Sequence, residues 1–171
     1  MSCPSPTSVS PLENLLGEEG RGGYAQFLRI LDEGRIAIAA LSTGLAQGCV
    51  DESVKYAAER HAFGKPIGAN QAIQFKIADM EMRAHMARVG WRDAAPGCWR
   101  TSRSRRRRPS PSCTPRRSPW TRPRGDQIHG GYGFMNEYPV ARMWRDSKIL
   151  EIGEGTSEVQ RMLIARELGL Q

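Results

Sequence analysis

Three glutamates, Glu151, Glu154 and Glu158, stand close together near the C-terminal end of a 171-residue chain, and glycine flanks the middle one on both sides. Between Gly153 and Gly155, Glu154 has no bulky neighbour to shield it, and the backbone there can approach a ligand closely. Either Thr156 or Ser157 can cap a following helix, and Ser157 with Gln160 fits a capping box. A carboxylate on a glycine turn, beside the open N–H groups of a helix start, suits a general base taking a proton in a pocket. The same residues also suit a solvated acid at a helix corner.

Other chemistries find less support. The cysteines are Cys3, Cys49, Cys98 and Cys113, with no CxxC pair and no Cys/His cluster, so neither a metal site nor a disulfide framework is expected. His61 and His85 read as helix-surface residues. No apolar run reaches membrane-spanning length, and the Ser/Pro-rich start lacks the charged and apolar regions of a signal peptide. A reducing, soluble compartment is the expectation. The net charge of +7 is local: ten arginines lie within 94–124, and without them it becomes −3.

The elements that must position Glu154 are helices. Residues 1–11 should form no regular structure. From Tyr24, the spacing of Phe27, Leu31, Gly34, Ile38, Leu41 and Leu45 predicts one apolar stripe on a helix reaching about Arg60. Its length argues for an antiparallel bundle. The segment 61–70 breaks the pattern at Gly64, Pro66 and Gly68, and Asn70 can cap a second helix. That helix carries Ile73, Ile77, Met80 and Ala84 on one side, with Phe75, Met82, Met86 and Val89 close by; its methionines read as core filler. A third begins at Pro139 with Val140, Trp144 and Ile149 apolar. A fourth runs from Thr156 to Leu168, with Val159, Leu163 and Leu168 apolar. No strand pattern is present, so the class is all-α.

The stretch 94–124 is different. It holds ten arginines, six prolines and no Asp, Glu or Lys, and it shows neither helical nor strand period. Read at face value, Arg100 to Arg124 with Trp99 and Trp120 could be a nucleic-acid-binding arm, gripping phosphates and stacking bases. Nothing else in the chain is basic.

Taken together, four stretches resemble the C-terminal domain of the acyl-CoA dehydrogenase family: Leu31–Ile36, Ala58–Ile67 with Gln71, Gln127–Gly133, and Glu154–Glu158. Their order and separations make the resemblance specific, over 12–93 and 125–171. It implies a C-terminal helical bundle over 12–171, interrupted at 94–124, and a flavin-dependent oxidation of an acyl-CoA thioester to its α,β-enoyl form. FAD is the implied cofactor, electron-transfer flavoprotein the implied partner, and a homo-oligomer (dimer or tetramer) the implied assembly. A bacterial cytoplasm or a mitochondrial matrix is the implied location. By the same resemblance, Glu154 is the base that removes the α-proton while a β-hydride passes to the flavin. Asp32, Arg35 and Gly155 would contact acyl-CoA. Arg60 would pair with the flavin pyrophosphate of a neighbouring subunit, Gln71 would add a second contact, and Gln127, Ile128, His129, Gly130 and Gly131 would approach the adenosine half. Thr156, Ser157 and Glu158 would touch the flavin. His129 is given no proton chemistry.

In that family, 94–124 is occupied by the end of one bundle helix and most of the next. Spacing from Gln71 to Gln127 is preserved while composition is lost, which is the signature of out-of-frame reading of GC-rich DNA. The expectation is a truncated relative, inactive alone; a non-catalytic oligomerisation fragment is the other reading.

Overall fold

The computed structural model describes residues 12–14, 23–100 and 125–170. A 3-10 turn spans Leu12–Asn14. Helix α1 then runs over Gly23–Glu59, 37 residues, as the periodicity predicts. At 1.5 Å per residue it is about 55 Å long and forms the spine of the structure.

A short antiparallel hairpin follows, β1 (His61–Ala62) and β2 (Lys65–Pro66), where no strand was expected. Two residues per strand are too few to show a period. Its turn residues Phe63 and Gly64 both have positive φ, 55° and 78°, the conformation of a type I′ turn. A 3-10 turn over Ile67–Ala69 leads into α2, Gln71–Arg100, and the Asn70 carbonyl accepts from the N–H groups of Ile73 and Gln74. Next among the described residues come α3 (Gly125–His129), a 3-10 turn over Gly130–Phe134, α4 (Pro139–Leu150) and α5 (Ser157–Glu167). Pro139 opens α4, where its missing N–H costs nothing.

Helices α2, α3 and α4 all pack on α1. The hairpin turns α2 back antiparallel to α1. Gln47 ties the two together, donating to Glu81 at 3.0 Å and accepting from Arg88 at 2.5 Å. The core gathers Cys49 and Val50 of α1, Met80 of α2 and Ile128 of α3, with Ile73, Ile77 and Met143 packed against it.

The all-α class holds, but the buried faces differ from the predicted stripes. On α1, among the residues whose burial is described, those buried are Ala39, Ser42, Thr43, Ala46, Cys49, Val50, Ser53 and Ala57, while Leu41 is exposed. These lie one step round the helix from the predicted stripe and are mostly small. Small residues let neighbours come close. A side chain beginning at Gly48 would meet Met143 at 3.1 Å, one at Gly125 would meet Ser53 at 3.0 Å, and one at Gly68 the Ala57 carbonyl at 3.0 Å. The gain is tight packing along the spine; the consequence is that larger apolar residues face outward. On α2, Phe75, Met82, Met86 and Val89 are exposed, so only Met80 of its helical methionines up to residue 96 fills core. Trp144 and Ile149 of α4, and Val159 of α5 with Leu168 just beyond it, are also exposed. Val140, Ala141, Ser147 and Leu150 form the buried face of α4.

Regular structure also continues further than the sequence suggests. Helix α2 continues through Ala94, which is buried, and past Pro96 to Arg100. Residues 101–124 lie outside the described residues. No helix among the described residues is long and apolar enough to cross a membrane, and none of their His, Cys, Asp and Glu side chains form a group of three or more able to hold a metal ion.

Candidate active site

Helix α4 ends at Leu150, and three further backbone hydrogen bonds, from Glu151, Ile152 and Gly153 back to Lys148 and Ile149, carry the chain into a turn. The left-handed region is then entered twice in succession, at Glu154 (φ 56°) and Gly155 (φ 93°). For glycine this is free; for glutamate it is a strained conformation worth about 1 kcal/mol or more, of the sort found at functional turns. Thr156 then caps α5, its hydroxyl accepting from the Val159 N–H at 3.4 Å. Of the two capping residues left open by the sequence, Thr156 is the one used. Gln160 does not complete a capping box with Ser157, since its side-chain amide has no hydrogen-bond partner.

The three glutamates of this stretch have separate fates. Glu151 pairs with Lys148 at 2.6 Å, and Glu158 with Arg161 at 3.5 Å on the surface. The Glu158 carboxyl is held below the usual carboxylate range by its own backbone N–H and then by the Thr156 hydroxyl. Glu154 has Oε2 buried with no hydrogen-bond partner. A buried carboxylate oxygen without a partner is costly, and its lone pair is available to a proton donor brought to it.

What the Glu154 carboxyl rests on is α1. A side chain beginning at Gly34 would lie 2.9 Å from Glu154 Oε2 and 3.0 Å from its carboxyl carbon. Gly34 stands between Asp32 and Arg35, so the structure brings the Leu31–Ile36 stretch to the Glu154 turn. Arg35 is half-buried there, and the Asp32 side chain lies outside the described residues.

A second group of predicted residues meets at the other end of α1. Arg60, Ile128, His129, Gly130 and Gly131 line one open cleft of about 510 Å³, together with Tyr56, Ile67, Tyr132 and Met135. The His129 ring stacks on Tyr56 with centroids 4.1 Å apart, and Tyr138 approaches both edge-on. Its Nδ1–H donates to the Gly125 carbonyl at 2.8 Å, which commits the ring to packing. Arg60 places its guanidinium 5.4 Å over the Tyr132 ring. Burial raises the Tyr56 hydroxyl pKa against the opposing effect of Arg60, with Tyr138 and Tyr132 adding to the rise, so it stays neutral.

Not every predicted residue joins this cleft. Gln127 lines a neighbouring hollow of about 310 Å³ with Phe134, Trp144 and Arg145, and Gln71 is exposed and lines neither. The turn over 153–158 also lines neither. Tyr56 and Tyr132 were missed as lining residues. Tyr56 sits one helical turn before Arg60 and Tyr132 directly after the paired glycines, which was the available signal.

The sequence model described as acyl-CoA dehydrogenase, C-terminal domain, matches residues 21–110 and 123–169. Residues 111–122 lie between the two matched ranges. The probable acyl-CoA dehydrogenase YngJ of Bacillus subtilis is 48% identical over 175 aligned positions, covering 92% of this chain but 42% of that protein. Among solved structures, butyryl-CoA dehydrogenase from Megasphaera elsdenii superposes with a TM-score of 0.78 at 37% identity, over 92% of this chain and 41% of that one. An acyl-CoA dehydrogenase from Bacillus anthracis, solved in complex with FAD, superposes with a TM-score of 0.76 at 32% identity, over 92% and 30%. The chain therefore spans about two fifths of the length of the curated relative it matches. With that sequence model matched over most of its length, and with relatives and solved structures of the same kind, the chain belongs to the acyl-CoA dehydrogenase family, in that family's C-terminal domain.

Proposed function

We propose that this chain is the C-terminal part of a flavin-dependent acyl-CoA dehydrogenase, with Glu154 as the base that takes the α-proton of an acyl-CoA thioester. The observation that carries the reading is the Glu154 turn: a glutamate in a left-handed conformation, its Oε2 buried and unpartnered, lodged on Gly34. The α-proton of a thioester is a poor acid. A carboxylate removes it only when held in place beside it and when the carbonyl is polarised. The turn supports the first requirement, and the backbone N–H of Glu154 itself is proposed to serve the second. Asp32, Arg35 and Gly155 are the proposed acyl-CoA contacts.

FAD, when bound, accepts the β-hydride. The cleft at Arg60 suits its adenosine–pyrophosphate half. A guanidinium can pair with phosphate, aromatic rings line the wall, and at Gly130 and Gly131 no atom stands within 4 Å of an added side chain, leaving open approach to the backbone. Arg60, Ile128, His129, Gly130 and Gly131 are the proposed contacts there, for a cofactor held by a neighbouring subunit, and Gln71 and Gln127, which lie outside the cleft, are proposed as further contacts to the same cofactor. Thr156, Ser157 and Glu158 are proposed at the flavin itself. Because the cleft and the turn are separate in one chain, a homo-oligomer in which each chain serves two cofactors fits this layout. Electron-transfer flavoprotein is the proposed electron acceptor.

The chain alone is proposed to be inactive, because residues from the rest of a full-length relative are needed to cover the flavin and the acyl chain. The test is a chimera joining the preceding portion of the Bacillus subtilis relative to residues 12–171. Dye-coupled acyl-CoA oxidation by the chimera should fall by about 10²–10⁴-fold in Glu154→Gln, while the isolated chain with added FAD shows no turnover. Turnover unchanged by Glu154→Gln sinks the base assignment, and turnover by the isolated chain sinks the claim of inactivity.

A further inference from the structure

Gln160, in the first turn of α5, is 5% exposed, and both its Nε2 and its Oε1 are buried without a hydrogen-bond partner. Its Nε2 lies 3.4 Å from the point where a side chain at Gly155 would begin, so the amide is packed directly under the Glu154 turn. A buried amide that makes no hydrogen bond lowers stability, and a methionine would fill the same space without that cost. The polarity of Gln160 is thus unexplained by the packing in which it sits. Beside it, Glu154 and Gly155 both hold positive φ, and Glu154 has an unpartnered oxygen of its own. A buried amide and a buried carboxylate oxygen, both without partners, thus meet at one strained turn. The Gln160 amide atoms have almost no surface open to solvent, and Gly155 of the turn stands beside Nε2.

From this we infer that Gln160 is a positioning residue for Glu154: its carboxamide is a second hydrogen-bonding seat for the peptide groups of the Glu154–Gly155 turn. In the conformation seen here the turn is held by packing on Gly34, and the seat is unused. When the turn shifts onto it, the amide gains its missing partners and the carboxylate is re-aimed. Two discrete seats a short distance apart make the turn a bistable element. Stability given up at a site in this way is characteristic of residues kept for function. The purpose assigned here rests on reading Glu154 as the base; the test does not.

The experiment is NMR relaxation dispersion on the full chain, read at the backbone amide of Gly155 and at the side-chain amide of Gln160. The expected result is exchange on the microsecond-to-millisecond scale at both groups with one common rate. Gln160→Met should abolish the exchange at Gly155 and raise Tm by roughly 2–6 °C. Absence of exchange in the wild-type chain, or unequal rates at the two groups, overturns the proposal without any variant. So does a fall in Tm or a failure to fold in Gln160→Met, since either means that the amide is a fixed structural partner. A chimera indifferent to Glu154→Gln would remove the base reading separately, with a common exchange rate still supporting the second seat.

Discussion

The Glu154 carboxyl lies against Gly34, close enough that a single methyl group at position 34 would stand 2.9 Å from its Oε2. Helix α1 and the turn before α5 come from opposite ends of the chain, and a missing side chain in one makes room for the carboxylate of the other. Gly34→Ala should therefore displace the Glu154 side chain. In the helix interior the same change favours the fold by up to about 1 kcal/mol. The expected outcome is an unchanged or raised Tm with a shifted Glu154 side-chain carboxyl ¹³C resonance; a lowered Tm with an unmoved resonance refutes this account of the contact.

Thr156 caps α5 and also donates its hydroxyl towards the Glu158 carboxylate. Thr156→Ala should cost about 0.5–2 kcal/mol. The pH dependence follows from the sign of the Glu158 shift. Its folded pKa is depressed, so its contribution is present above the ordinary carboxylate range and is lost as pH falls through the folded value. Thermal melts from neutral to acid pH should show that the variant loses less stability on acidification than the wild type. An identical acid slope in both would show that the hydroxyl contributes nothing to Glu158.

Two glycines in the same loop predict opposite outcomes. At Gly133 an added side chain would be driven into the Asp126 backbone, whereas at Gly131 nothing stands within 4 Å. Gly133→Ala should destabilise by several kcal/mol or prevent folding, because backbone must move, and Gly131→Ala should stay within about 0.5 kcal/mol of the wild type. Denaturant midpoints would decide, and equal midpoints would contradict the packing described for α3.

Cys49 is fully buried in the core, with its thiol 3.4 Å from the Met143 sulfur. Burial, with Asp126 and Glu52 adding to it, raises its pKa from 9.0 to about 12. A raised folded value means that the stabilisation is complete below pH 9 and is lost as pH climbs towards 12, because the unfolded thiol ionises first. Cys49→Ala should be less stable at neutral pH by about 1–2 kcal/mol through lost packing, yet decline less steeply at alkaline pH. Parallel alkaline declines in the two proteins would rule out the thiol as the cause.

The coding DNA across 94–124 offers a test that needs no protein. An Ala/Glu/Lys-rich amphipathic helix should appear in another reading frame over part of this stretch, joining in phase with the helical chain before it. Arginine- and proline-rich translations in all three frames would refute an out-of-frame origin.

Local signals in the sequence determined much of this protein. The start and end of α1, the break at Gly64–Gly68, Pro139 at the head of α4 and the glycines around Glu154 all follow from backbone preferences that act within a few residues. The resemblance over four ordered stretches gave the family. The sequence alone could not give the choice of buried face. Small residues on α1 lie inside because neighbouring helices approach closely there, and the larger Leu41 is left outside; hydrophobicity by itself ranks them the other way. It also could not show that Glu154 meets Gly34, that Gln127 turns to a different hollow from His129, or that Gln160 is buried without partners. Those facts depend on contacts between segments far apart in the chain, which packing fixes and periodicity does not record.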